Sequence, residues 1–407
     1  MKLLTVESVE QAILRCVLHI QKYHKIRTEI IPVSSAFQRI SSKRLSSSEV
    51  LPNFNRSTVD GYALAAQQTF GASESIPTIL TCIERLEMGQ KPSKTLNSGE
   101  CCYVPTGGMI PDGATAVVMV EYCEAFNENQ ILIYRPVAHH ENVIFAGEDL
   151  NMNDIVIEED ETFTHQAIGR CAGVGISHVE VYSQLKAAVI STGDEVFPID
   201  SIIKEAQVHD VNSAILASIL KSINFEVIEN HLIQDDEELL FTTVNRLRET
   251  VDMILISGGS SQGEKDYTAK IIDRCQNPGL WSHGLAIKPG KPTILGSSGP
   301  CLVVGLPGHP VSAMTVFLRV IKTAYQQAYN INRLPTFAVL DTNVMSSAGK
   351  ETIIYVQLRN ENKQIHAKVL YSKSGLISTL KDADGYVIIP GNLEGYQRDE
   401  VVEVILL

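Results

Sequence analysis

Apolar and polar positions follow different rhythms along this chain, and each rhythm predicts a different kind of structure. Residues 5–23 place Val9, Ile13, Val17 and Ile20 on one side at helical spacing, with Ser8 ahead of them as a candidate N-cap. An amphipathic helix is expected there. Between 47 and 140 the apolar pieces are short or alternating (IPTILTCI, GECCYVP, AVVMVE, ILIYRPV) and are divided by Gly, Pro and Asn. That pattern predicts a small β domain inserted into another unit. Around 155–183 the pattern turns helical again and then reaches VEVY. From 187 onward short apolar strands (AAVIS, FEVIENHLI, VDMILI, ILG, CLVVGLPG) alternate with helical stretches (DVNSAILASILKSI, DEELLFTTVNRLRE, YTAKIIDRC and a last one from Pro310). Strand and helix at this spacing predict βαβ units on a parallel sheet with helices on both faces. Residues 335–407 lose the helical period and carry β runs (TIIYVQL, YVIIP, VVEVILL).

The expected fold class is therefore multidomain α/β. A central doubly wound parallel α/β domain occupies 184–330, with an inserted β domain at 47–140. A mostly helical, discontinuous N-terminal unit is drawn from 1–46 and 141–183, and a C-terminal β domain spans 335–407. The length agrees, since 407 residues exceed what one core usually serves.

Composition narrows the function classes. The formal net charge is −13, from 34 basic and 47 acidic residues, which argues against a nucleic-acid partner. No run approaches 18 apolar residues, so no membrane span is expected. The opening MKLLTVESVEQAIL carries Glu7 and Glu10 and does not read as a signal peptide. The eight cysteines form no CxxC pair, which fits buried thiols in a reducing cytoplasm.

The chemistry concentrates in four loops that follow apolar strands: STGDEV (191–196), SGGSSQGEKD (257–266), IKPGKP (287–292) and LPGHP (306–310). Glycines after a strand let consecutive backbone N–H groups converge on an anion, and a following helix N-terminus adds positive dipole. Ser257, Gly258, Gly259, Pro307, Gly308, His309, Pro310 and Ser312 are thus candidate cradle residues, although each loop taken alone also reads as a plain turn. The cradle is not a Walker A motif, because no GK[ST] is present. Lys288 and Lys291 offer local positive charge in an acidic protein. Asp194, Glu195, Asp210, Asp235 and Asp266 also fall near strand ends, and carboxylates beside phosphate-binding backbone suit Mg²⁺.

Taken together, these stretches resemble the molybdopterin molybdenumtransferase family, the bacterial relatives of the gephyrin E domain. The matching pieces are RSTVDGYA (56–63), TGGMIPDGATAVV (106–118), GED (147–149), STGDE (191–195) and the Asp210–Asn212 triplet. SGGSSQGEKDY (257–267), KPGKP (288–292) and LPGHPVSA (306–313) complete the series, all in family order. The resemblance implies an enzyme that inserts molybdate into adenylylated molybdopterin with Mg²⁺-dependent release of AMP, the last step of molybdenum cofactor assembly. It implies a molybdopterin-binding central domain and a homodimer with a cleft shared between subunits. It further implies transient contact with a molybdopterin adenylyltransferase and with molybdoenzyme maturation proteins.

By motif, Glu195 and Asp266 would hold metal, and Asp194 would contact the pterin or the metal. Lys288 and Lys291 would hold phosphate or molybdate. Asp60, Thr106 and Asp149 would come from flanking domains or the partner subunit, while Asp235 and Ser374 match further functional positions. Two departures stand out. His309 takes a place where the family has Asn, and Tyr355 stands where it tends to carry Arg, with Lys350 nearby as an alternative cation. The competing readings are a molybdopterin adenylyltransferase, which lacks the STVDGYA and GED regions, and a non-catalytic gephyrin-like scaffold.

Overall fold

The computed structural model describes residues 6–258, 267–371 and 373–407. Its centre is a six-stranded sheet in the order 225–233, 185–192, 253–257, 301–306, 294–298, 278–283. The first four strands are parallel. The fifth, 294–298, runs antiparallel to both of its neighbours, so the sheet is mixed rather than wholly parallel. The departure has a local cause. Ser298 and Cys301 pair across the Gly299–Pro300 turn, which returns the chain as a hairpin. The edge strand Pro278–His283, PGLWSH, carries too little alternation to be read as a strand from sequence.

Both faces of the sheet are covered, and the strand pleat shows why. Ala187, Val189, Met253, Leu255 and Val304 face one side, against Leu216 and Leu220 of the helix Val211–Ser222 and against the helix that opens at Pro310. Ala188, Ile190, Ile254, Ile256 and Val303 face the other side, against Leu240 and Val244 of Glu237–Leu247 and Ile271 of Tyr267–Cys275. Successive strand residues point to opposite faces, so strands buried on both sides must be apolar throughout. The run from Met253 to Ile256 meets that demand.

The N-terminal region departs from expectation in two ways. The helix Val9–Tyr23 forms as read, with the Ser8 side chain accepting from the Gln11 amide. Its apolar face (Val9, Ile13, Cys16, Ile20) packs into the central domain's core, where Tyr182 is the residue of 141–183 that joins it. The remainder of 1–46 and 141–183 holds one α-helix, His165–Gly173, and short antiparallel pairs: 28–32 with 178–182, and 45–46 with 155–157. Among the described residues it is therefore built mainly of loops and short strands, not mostly of helix. Strands of two to five residues show too few alternations to announce themselves.

Within 47–140 a six-stranded sheet forms in the order 116–119, 61–64, 100–104, 78–85, 130–133, 123–125. At the C-terminus the strands 351–361, 364–369, 336–340, 401–406 and 385–389 pair in a ring, since the first and last also pair with each other. They close a five-stranded barrel. This barrel is joined to the central domain by main-chain pairing of Ile287–Lys288 with Glu351–Thr352. Among the described residues no helix is long and apolar enough to cross a membrane.

Candidate functional site

The carboxyl ends of the four parallel strands open onto a cleft of about 1900 Å³, whose opposite wall is the C-terminal barrel. Ligands in open α/β sheets bind at this edge because the loops there are free to diverge. The chain makes the cleft from the loops singled out above. Ser191–Gly193 and Glu195 lie at the end of strand 185–192, Asp235 lies just past 225–233, and Ser257 and Gly258 lie at the end of 253–257. Pro307–His309 follow 301–306, and Ile287–Pro292 lie alongside.

Gly258 shows why glycine is required here. Its φ is +109°, and an added Cβ would run into the Thr192 carbonyl. Gly258→Ala is expected to destabilise the protein by about 1–3 kcal/mol, the usual cost of an L residue held in that region. A shift of the urea midpoint measures it, and an unchanged midpoint would show that the strand end relaxes freely.

The walls are cross-linked by side chains. Asn212 Nδ2 donates to Ser257 Oγ at 2.6 Å and to the Gly308 carbonyl at 2.7 Å, tying two of the glycine loops together. Asp210 caps the helix Val211–Ser222 by accepting from the Ser213 amide, and it also accepts from Ser191 Oγ at 2.7 Å. Lys288 is exposed on the cleft wall and reaches across to Ser347 Oγ at 2.8 Å. The half-buried Lys291 lines the same space. Thr192 Oγ1 and Asn212 Oδ1, both at cleft-lining residues, are buried with no hydrogen-bond partner among the described residues. Polar atoms left in that state match a polar ligand.

The expected site residues divide into four groups. Glu195, Asp235, Ser257, Gly258, Lys288, Lys291, Pro307, Gly308, His309, Pro310, Ser312 and Ser374 all line the cleft. Asp194 is exposed and does not line the cleft, and its Oδ1 accepts from the Asp235 amide at 3.1 Å. Asp60, Thr106 and Asp149 are exposed and do not line the cleft. Asp60 Oδ1 accepts from the Thr106 amide at 2.7 Å and from Thr106 Oγ1 at 2.9 Å, which lowers the Asp60 pKa below the usual carboxylate range. Gly259 and Asp266 lie outside the described residues.

The two departures also find places. Tyr355 is buried, its hydroxyl 2.9 Å from Thr315 Oγ1, and burial pushes its phenol pKa well up. It packs as a neutral side chain and brings no cation. Lys350, on the barrel wall of the cleft, does. Asn212 was legible as part of a motif but not as a brace. Its bonds depend on Ser257 and Gly308, 45 and 96 residues away.

Known proteins match this chain along nearly its whole length. Residues 4–175 match the MoeA N-terminal region (domain I and II). Residues 188–327 match the probable molybdopterin binding domain, and 338–407 match the MoeA C-terminal region (domain IV). A putative molybdopterin biosynthesis protein of Methanocaldococcus jannaschii is 32% identical over 93% of this chain and 92% of its own. The molybdopterin molybdenumtransferase of Haemophilus influenzae is 27% identical over 93% of each chain. Two crystal structures of molybdopterin biosynthesis MoeA proteins from Pyrococcus horikoshii cover 99% of this chain and 99–100% of theirs. Their TM-scores are 0.80 and 0.82 and their identities 32% and 28%. With three segments matched in order and a relative 32% identical almost end to end, the chain belongs to the molybdopterin molybdenumtransferase (MoeA) family of molybdenum cofactor biosynthesis, whose members are transferases.

Proposed function

We propose that the cleft binds adenylylated molybdopterin and molybdate, places molybdenum on the dithiolene and releases AMP. The observation that carries this reading is the convergence of three strand-end loops with Lys288 and Lys291 on one cleft. A pyrophosphate-linked substrate needs backbone N–H groups and cations on its phosphates. A tetrahedral oxyanion such as molybdate needs the same donors. Cleaving a phosphoanhydride calls for stabilisation of developing charge more than for a covalent nucleophile.

The chain's own groups divide the work. Gly258 and Gly308 let backbone come close to the phosphates. Lys288 and Lys291 hold oxyanion charge, and Ser374 contributes from the barrel side. Glu195, together with Asp266, would hold Mg²⁺, which when bound neutralises phosphate charge. Among the described residues no three His, Cys, Asp or Glu side chains gather into a metal cage. Mg²⁺ does not need one, since one or two carboxylates plus substrate phosphates suffice. Asp60, Thr106 and Asp149 reach a cleft in this reading only when a second copy presents them, which implies a homodimer with a shared site. The eight free thiols fit a cytoplasmic setting.

The test is incubation of the purified protein with adenylylated molybdopterin, Mg²⁺ and molybdate, with AMP and cofactor both measured. Molybdate-dependent AMP release is expected. AMP release indifferent to molybdate, or none at all, would sink the reading.

A further inference from the structure

His309 joins the two walls of the cleft. It stands just before the helix Pro310–Val316, yet its side chain makes no capping bond to that helix. Instead its Nδ1 lies 2.7 Å from Ser374 Oγ on the barrel side. The Val311 amide donates to the Ser374 carbonyl at 3.1 Å, so Ser374 is held at two points along the cleft edge. A serine hydroxyl has one proton to give and two lone pairs with which to accept. When His309 Nδ1 carries a proton, it donates to Ser374 Oγ, and the serine proton is left for a ligand in the cleft. When Nδ1 is bare, the serine donates to it and has nothing left to offer. The imidazolium always carries Nδ1–H and adds Nε2–H as a second donor.

We propose that His309 is a positioning residue: in its protonated form it turns the Ser374 hydroxyl toward an oxyanion in the cleft, so that oxyanion binding tightens as pH falls. This rests on the reading of the cleft as a molybdate and pyrophosphate site. The other charged or titratable side chains lining the cleft are Glu195, Asp210, Asp235, His209, Lys288, Lys291, Lys350, Lys373, Tyr355 and Tyr371. Of these residue classes only imidazole ordinarily changes charge near neutral pH. The second imidazole, His209, has its Nδ1 3.1 Å from the Pro198 carbonyl, which makes His209→Gln the natural control.

The experiment is equilibrium binding of molybdate to the full-length protein between about pH 5.5 and 8.5, the span over which imidazoles titrate. Affinity of the native protein is expected to fall about tenfold across that range, the scale of one charge-assisted hydrogen bond. His309→Asn keeps an amide donor at every pH and should flatten the profile. Ser374→Ala should flatten it with the histidine intact, and His209→Gln should leave the slope as in the native protein. A native slope in either His309→Asn or Ser374→Ala, or a flat profile in His209→Gln, overturns the assignment. A native protein that binds no molybdate at any pH overturns instead the reading of the cleft on which it rests.

Discussion

Lys288→Ala is expected to lower molybdate-dependent turnover by about a hundredfold or more, the usual consequence of removing one preorganised donor from a developing oxyanion. The melting temperature should stay within a few degrees of native. The structure separates the two effects. What Lys288 contributes to the fold is main chain: it pairs with Thr352 while Ile287 pairs with Glu351. The side chain is exposed and, among the described residues, makes one hydrogen bond, to Ser347 Oγ. Alanine keeps the pairing and loses only the ammonium. In a protein of net charge −13, that ammonium and its neighbour Lys291 bring positive charge to a cleft that also carries Glu195 and Asp235. Lys288→Arg should recover part of the rate, because it restores charge without the compact ammonium geometry. Steady-state AMP release and a thermal melt on the same preparations decide the matter. Native turnover in Lys288→Ala would remove this lysine from the site.

Much of the site could be read from the chain because its parts are local in sequence. A glycine pair after an apolar strand, or two lysines around Pro289 and Gly290, announce a loop with special backbone wherever the rest of the protein lies. The helices of the central domain were legible for a related reason. The period of the helix Val211–Ser222 reads correctly but its face only in part: Val211, Ile215 and Ile219, with Leu216 less strictly, fall on one side in the sequence, whereas the structure buries Leu216 and Leu220 and leaves Val211 exposed. What escaped the sequence is whatever depends on partners far along the chain. The brace from Asn212 to Ser257 and Gly308 is of that kind, and so is the latch between His309 and Ser374, 65 residues apart. The antiparallel edge of the central sheet escaped because two adjacent strands look alike whether the chain crosses over or turns back. The N-terminal unit escaped because its strands are too short to show a period, and because the helix Val9–Tyr23 spends its apolar face on another domain's core. A hydrophobic stripe tells that a helix packs, not against what.

The largest stability loss is expected where the barrel meets the central domain. Arg319, in the helical run that continues from Pro310, forms a two-pronged pair with Glu351, the first residue of the barrel's longest strand. Nε and Nη2 donate to the two carboxylate oxygens at 2.7 and 2.9 Å. The side chains are only 12% and 7% exposed, so neither charge reverts easily to water if its partner is removed. Arg319→Ala and Glu351→Ala should each cost about 3–5 kcal/mol, because each strands an uncompensated charge at a desolvated interface. The double replacement Arg319→Met with Glu351→Leu should cost less than either single change, since it removes both charges and keeps apolar volume. The effect should also reach the cleft. Glu351 pairs with Ile287 at the start of the KPGKP loop, so a loosened barrel would misplace Lys288 and raise KM along with lowering stability. Urea denaturation of the two single variants and the double measures the coupling. If the double is as unstable as the sum of the singles, the two charges do not depend on one another and the pair is not what holds the barrel in place.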